Sequence, residues 1–138
     1  MTRVRVSLNG DWDFHPLKEI SPPEGPPETN AWQSRKLRIP SSWRWSIDLC
    51  AEYQPYNLFE YPPAWNDVQA GWIQRSFAAE IPTGKRAWLH FEAVLQRSVY
   101  FINGKRVYAS TESTLPIEFD VTDHLQPGLN ELAVWCGP

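Results

Sequence analysis

Glu118 and Asp120 stand two residues apart in a chain of 138, and theirs is the first spacing that could do chemistry. On a strand, residues i and i+2 face the same side, about 7 Å apart along the backbone. Two carboxyls so placed could act as general acid and base, provided one keeps its proton near neutral pH. Glu92, Glu112 and Asp123 are the other acids in this region that could join such a set. A structural use competes. Asp120 opens the stretch Asp120-Val121-Thr122-Asp123-His124-Leu125, which predicts one helical turn, and a carboxylate there accepts backbone N–H bonds. Glu118 is then a solvated or Arg-paired strand residue, and Glu92 holds a turn or a basic neighbour. Capping is the expectation, and no catalytic residue is assigned. His15, His90 and His124 are isolated and show no metal spacing. Cys50 and Cys136 are far apart, without metal or redox spacing, and read as free thiols. No Gly-rich phosphate loop is present. The chain is therefore expected to use no metal and no cofactor.

Residues 41–70 are the least regular stretch. They carry Trp43, Trp45, Tyr53, Tyr56, Phe59, Tyr61 and Trp65, broken by Pro55, Pro62 and Pro63. A connection of that length is unusual in a compact domain and is often functional. Aromatic rings with amides and carboxylates beside them can hold an organic ligand by its apolar face and its polar groups. Trp43, Trp45, Tyr56, Asn57, Trp65, Asn66 and Asp67 are the candidates for such contact. The same aromatics could instead plug the open end of a sandwich or line an interface, since large rings serve burial more often than recognition. Trp12 and Trp88 are expected to be packing residues on that ground.

The elements that must position these residues read as short strands. Hydrophobic residues make up 42% and charged residues 21%, which suits neither a disordered nor a membrane-spanning chain. Thirteen Lys and Arg against 16 Asp and Glu leave a net charge of −3, so electrostatics favours neither nucleic acid nor an anionic membrane as partner. Eight Trp and 13 Pro with 7 Gly suit strands joined by stiff loops. Asn9-Gly10 predicts a tight turn between strands at Val4–Leu8 and Trp12–His15. Residues 21–28 hold four prolines and form a surface loop. Further strands are expected at Arg35–Ile39, Trp72–Ala79 and Arg86–Phe91. In the last, Ala87, Leu89 and Phe91 share one face, Trp88 and His90 the other. Arg97–Ile102 and Lys105–Ser110 flank Asn103-Gly104, the strongest short-range hairpin signal in the chain. Leu115–Phe119 and Leu129–Trp135 complete a series of eight to nine strands, which predicts an antiparallel sandwich or barrel. Met1–Val6 has no apolar run of signal-peptide length, which with free thiols leads to a cytoplasmic expectation, or an exported one if a leader was removed.

Seven segments, in order, resemble the N-terminal sugar-binding domain of glycoside hydrolase family 2, the family of β-galactosidases, β-glucuronidases and β-mannosidases. They are Leu8-Asn9-Gly10-Asp11-Trp12-Asp13-Phe14, Ile39-Pro40-Ser41-Ser42-Trp43, Gly71-Trp72-Ile73-Gln74-Arg75-Ser76-Phe77, Leu89-His90-Phe91-Glu92-Ala93-Val94, Val99-Tyr100-Phe101-Ile102-Asn103-Gly104-Lys105, Leu115-Pro116-Ile117-Glu118-Phe119-Asp120-Val121-Thr122 and Pro127-Gly128-Leu129-Asn130-Glu131-Leu132-Ala133-Val134. Trp72 stands where the family usually has Tyr, and Ala93 where Gly is common. The spelling Ser113-x-Leu115-Pro116-x-Glu118-Phe119-Asp120 is closest to the β-galactosidase branch.

The resemblance implies an all-β, antiparallel jelly-roll sandwich of the galactose-binding type, a single domain over residues 1–138. It implies that the bond-breaking glutamates belong to a TIM-barrel catalytic domain of a parent enzyme, which this domain packs against and whose carbohydrate site it helps to shape. In the family the domain normally continues beyond the strand that ends here in Trp135-Cys136-Gly137-Pro138. The expectation is thus a domain truncated at its C-terminal end, with an unpaired strand edge that could form a homodimer. Two other readings stay open at this point. One is a free-standing carbohydrate-binding module, the other a protein-interaction sandwich without sugar affinity.

Overall fold

Period-two alternation and tight turns dictate the architecture, and a computed structural model describes it for residues 4–21, 24–27, 32–43, 61–94 and 96–138. Eight strands follow in order among the described residues: β1 (Gly10–Leu17), β2 (Leu37–Ile39), β3 (Ala70–Ala79), β4 (Trp88–Phe91), β5 (Arg97–Ile102), β6 (Lys105–Ser110), β7 (Ile117–Asp120) and β8 (Gly128–Gly137). Among the described residues, short 3-10 turns at Pro63–Asp67 and Thr122–His124 are the helical pieces. All pairings are antiparallel. Six strands form one sheet in the order β2-β1-β3-β8-β5-β6, and β4 and β7 form a separate ribbon. The protein is an all-β sandwich, as the strand series predicts.

The β5–β6 hairpin shows how local chemistry sets register. Asn103 has φ 51° and Gly104 φ 83°, the left-handed pair that a type I′ turn demands. Asn103 then ties the turn to the end of β8. Its Oδ1 accepts from Glu131 N at 2.9 Å, and its Nδ2 donates to Asn130 Oδ1 at 2.9 Å. Asn130 is 1% exposed, and its amide donates to the carbonyls of Gln126 and Gly128. A buried amide with its partners supplied rigidifies this corner.

The core lies between the two sheets. Trp12 and Phe14 of β1, Tyr100 and Ile102 of β5 and Leu132 and Val134 of β8 meet Leu89 of β4 and Ile117 and Phe119 of β7. The ribbon alternates as half-buried strands should. Ile117 and Phe119 point inward, while Glu118 points out. The large sheet also buries part of its other face, where Trp72, Val99, Phe101, Ala133 and Trp135 cluster with Leu17 and Trp32 packed against them. Trp72 lies directly opposite Trp135, and Trp135 opposite Val99. Several strands therefore read as continuous apolar runs.

One expected strand does not form. Residues 4–9 have no regular structure, and β1 begins at Gly10 with φ 133°. The reason is Arg75. Its guanidinium Nη1 donates to the carbonyls of Leu8 at 2.5 Å and Asn9 at 2.7 Å, and Trp12 Nε1 donates to Leu8 O at 2.7 Å. The Leu8 and Asn9 carbonyls, at the corner where the hairpin would turn, are thus committed to side chains and not to a neighbouring strand.

Candidate functional site

The Trp-rich stretch begins and ends in packed structure. Tyr61 is 3% exposed. Its hydroxyl accepts from Arg38 N at 2.8 Å and lies 2.9 Å from Ser41 Oγ, which joins the far end of the stretch to β2. Trp43 is half-buried, with Nε1 donating to Val68 O at 2.9 Å and its ring 5.1 Å from that of Phe14. Trp65 is 3% exposed. Its ring meets Phe14 edge-on at 4.6 Å and lies 5.3 Å from Tyr61. Its backbone N–H closes the 3-10 turn on Pro62 O at 2.9 Å. Phe14, Trp43, Tyr61 and Trp65 thus form one aromatic cluster continuous with the core, at centroid spacings suited to offset and edge contacts.

Asn66 and Asp67 follow in the same 3-10 turn, the first half-buried and the second exposed. The structure therefore brings together four of the candidate residues: Trp43, Trp65, Asn66 and Asp67. Trp45, Tyr56 and Asn57 lie outside the described residues. So does Cys50.

The acidic pair is on the open face of the ribbon. Asp120 Oδ1 accepts from Thr122 N at 2.9 Å and Thr122 Oγ1 at 2.6 Å, and Oδ2 accepts from Arg86 Nε at 2.8 Å. These partners, Arg86 first and Thr122 next, hold the Asp120 carboxyl well below its usual range. An acid so stabilised in its ionised form has no proton to give at neutral pH. The expected cap is only partly met: Asp120 takes one backbone N–H, that of Thr122, while Val121 stands at the N-cap of the 3-10 turn and makes no side-chain cap bond. Glu112 is likewise pulled down, by the N–H groups of Thr114 and Leu115 and the Thr114 hydroxyl. Glu92 faces His90, its Oε1 3.1 Å from Nε2. Cys136 is a free, buried thiol, and burial pushes its pKa up to about 12, so it is no thiolate nucleophile.

Two features escaped the sequence reading. The first is an open polar groove of about 380 Å³ over β1 and β3, lined by Asn9, Asp11, Asp13, Lys36, Gln74 and Arg75. Lys36 pairs with Asp13 across it. The usable signal was alternation: Arg75 shares a face with Ile73 and Phe77, so a charge stands at an inward position of β3. The second is Trp88, which corrects an expectation. It was expected to pack, as Trp12 does at 2% exposure, yet it is 56% exposed. Alternation had already placed it opposite Leu89 and Phe91. Strand alternation, not residue type, sets which side of β4 the ring occupies.

Fold and surface define a class: an all-β sandwich with an aromatic cluster beside exposed polar groups, in which Asp120 is held ionised by its partners. Comparison with known proteins gives the family. The family model "Glycosyl hydrolases family 2, sugar binding domain" matches residues 5–136, and the chain belongs to that family. A β-galactosidase of Yersinia pestis bv. Antiqua (strain Angola) is 30% identical over 93% of this chain, which covers 13% of that protein. Among solved structures, a β-glucuronidase of an uncultured Clostridium sp. superposes with TM-score 0.66 at 26% identity, over 94% of this chain and 21% of that one. A Bifidobacterium dentium β-glucuronidase complexed with coumarin-3-O-glucuronide superposes with TM-score 0.68 at 27% identity, over 94% and 19%. The chain thus spans about an eighth of the curated relative and about a fifth of each structural neighbour.

Proposed function

We propose that this chain is the non-catalytic N-terminal domain of a β-galactosidase-like enzyme, and that it shapes the carbohydrate site of a TIM-barrel domain that breaks the bond. The observation that carries this reading is one of proportion. The family's sugar-binding domain accounts for residues 5–136, nearly all of the chain, while the chain accounts for only 13% of the β-galactosidase it resembles. The state of Asp120 supports it, because a retaining or inverting glycosidase needs one carboxyl with a raised pKa. In this reading the Phe14–Trp43–Trp65–Tyr61 cluster is the rigid base. Exposed Asp67, beside Asn66 in the same turn, stands next to that base, and the candidate roles of Trp45, Tyr56 and Asn57 in sugar contact are part of the same proposal. A rigid aromatic base under polar groups is what orients a hydroxyl-rich ligand.

The test is hydrolysis by the complete enzyme of 4-nitrophenyl β-galactoside, β-glucuronide and β-mannoside, alongside the double variant Asn66→Ala/Asp67→Ala. The expected result is preference for the galactoside, with KM raised several-fold in the variant and kcat little changed. Absence of galactoside hydrolysis, or a variant indistinguishable from the parent in KM, overturns the respective half of the reading.

A further inference from the structure

The ribbon formed by β4 and β7 turns one face to the core and one to solvent. Leu89, Phe91, Ile117 and Phe119 fill the first. The second is polar except for Trp88, the most exposed tryptophan among the described residues at 56%. Register puts Trp88 directly opposite Asp120 and His90 directly opposite Glu118, so all four share the solvent face. Diagonal neighbours on such a face lie about 7–8 Å apart, within reach of aromatic and long side chains, so the Trp88 indole and the Glu118 carboxylate can meet one ligand.

The surroundings are built. Asp120 is fixed by Arg86 and Thr122, and Arg86 also reaches Asp123 at 3.8 Å. Ala87 N donates to Thr122 Oγ1 at 2.8 Å, which fastens the start of β4 to the turn after β7. His90 Nδ1 lies 4.0 Å from Glu118 Oε2, and both side chains are nearly half exposed. The platform therefore has a rigid floor, with a carboxylate and an imidazole at its rim.

We propose that this face is a carbohydrate platform, separate from the Trp-rich stretch, on which Trp88 stacks a neutral pyranoside while Glu118 and His90 take its hydroxyls. An indole face accepts the C–H face of a sugar, and carboxylates accept from hydroxyl donors. Charge decides the class of sugar. Glu92, Glu118, Asp120 and Asp123 border the platform, against Arg86, which is already engaged by Asp120 and Asp123. A uronate would bring a like charge to this rim, whereas a neutral galactoside or glucoside would not. The platform extends the functional reading above. It rests on the chain handling carbohydrate, but its test uses binding to this chain and not hydrolysis, so either can fail alone.

The experiment is a ¹H–¹⁵N spectrum of the 138-residue chain titrated with methyl β-D-galactopyranoside and, separately, with methyl β-D-glucuronide. One solvent-exposed ring supports weak affinity, so the titration runs to about 100 mM for a Kd expected near 1–10 mM. Saturable shifts are expected in the Trp88 indole N–H and in the amides of 88–91 and 117–120. Trp88→Ala, at an exposed position, should remove them, and Trp88→Phe should retain a weaker response. The glucuronide should bind at least about threefold more weakly at low salt, with the gap closing as salt is raised. Three results overturn the proposal: no saturable shift, shifts that survive Trp88→Ala, or a Trp88 signal that moves with protein concentration alone. The last would make the face a contact with a second copy of the chain.

Discussion

Two tryptophan-bearing regions of this sandwich use the same residue in opposite ways. At one end Trp65 is 3% exposed and wedged between Phe14 and Tyr61; on the ribbon Trp88 is 56% exposed over a polar face. The difference lies in what backs each ring. Trp65 sits in a 3-10 turn after Pro62 and Pro63 that tips its side chain into the gap beside β1. Trp88 sits on a strand whose alternate residues, Leu89 and Phe91, already fill the core side. Aromatic content alone therefore identifies neither a binding site nor a core; the face does.

The largest expected effect breaks the packed region. Trp65→Ala opens a cavity between Phe14 and Tyr61, and loss of about 3–5 kcal/mol is expected. Urea denaturation should show the midpoint fall with little change in slope. Gly71→Ala should follow, because an added Cβ would stand 2.7 Å from the Phe14 ring and 3.3 Å from His15 O. Overpacking of that kind costs about 1–3 kcal/mol, readable in the same titration.

The open face should respond through pH instead. Asp120 has a lowered folded-state pKa, so its contribution to stability is complete above its unfolded value near 4 and is lost as pH falls below it. Asp120→Asn should flatten this part of the acid limb of a thermal melt taken from pH 6 downwards. Arg86→Met should do the same by removing the first of the carboxylate's partners. The smallest effect sharpens the contrast. Trp88→Ala should change stability by no more than about 0.5 kcal/mol, as expected of an exposed side chain. A loss as large as that of Trp65→Ala would erase the distinction between the two regions.

Much of the fold was legible in the residues. Asn103-Gly104 predicted the β5–β6 hairpin at its observed bounds, because the left-handed turn requirement is local. Alternation in Arg86–Phe91 separated the two faces of β4. The strand expected at Val4–Leu8 does not form, and the carbonyl of its last residue, Leu8, binds Arg75, some 67 residues away, a pairing that no local pattern encodes. The division of the strands into a six-stranded sheet and a two-stranded ribbon is likewise set by long-range pairing. At the candidate site, the sequence names Trp43 and Trp65 only as aromatics of one irregular stretch, for sugar contact or for burial. It did not reveal that Phe14, from a strand some thirty residues earlier, is the ring they share. That Asp120 would take a backbone N–H was readable from its position before a turn, whereas its bond to Arg86 depends on the register of β4 against β7.

The central claim is that these residues carry a carbohydrate-handling scaffold and leave bond cleavage to another domain. Its most direct test is turnover of 4-nitrophenyl β-D-galactopyranoside by the purified, folded 138-residue chain, measured beside the complete enzyme. Release of nitrophenol by the complete enzyme, with none above buffer for the chain alone, is the predicted result. Turnover by the chain alone that disappears in Glu118→Gln would contradict it.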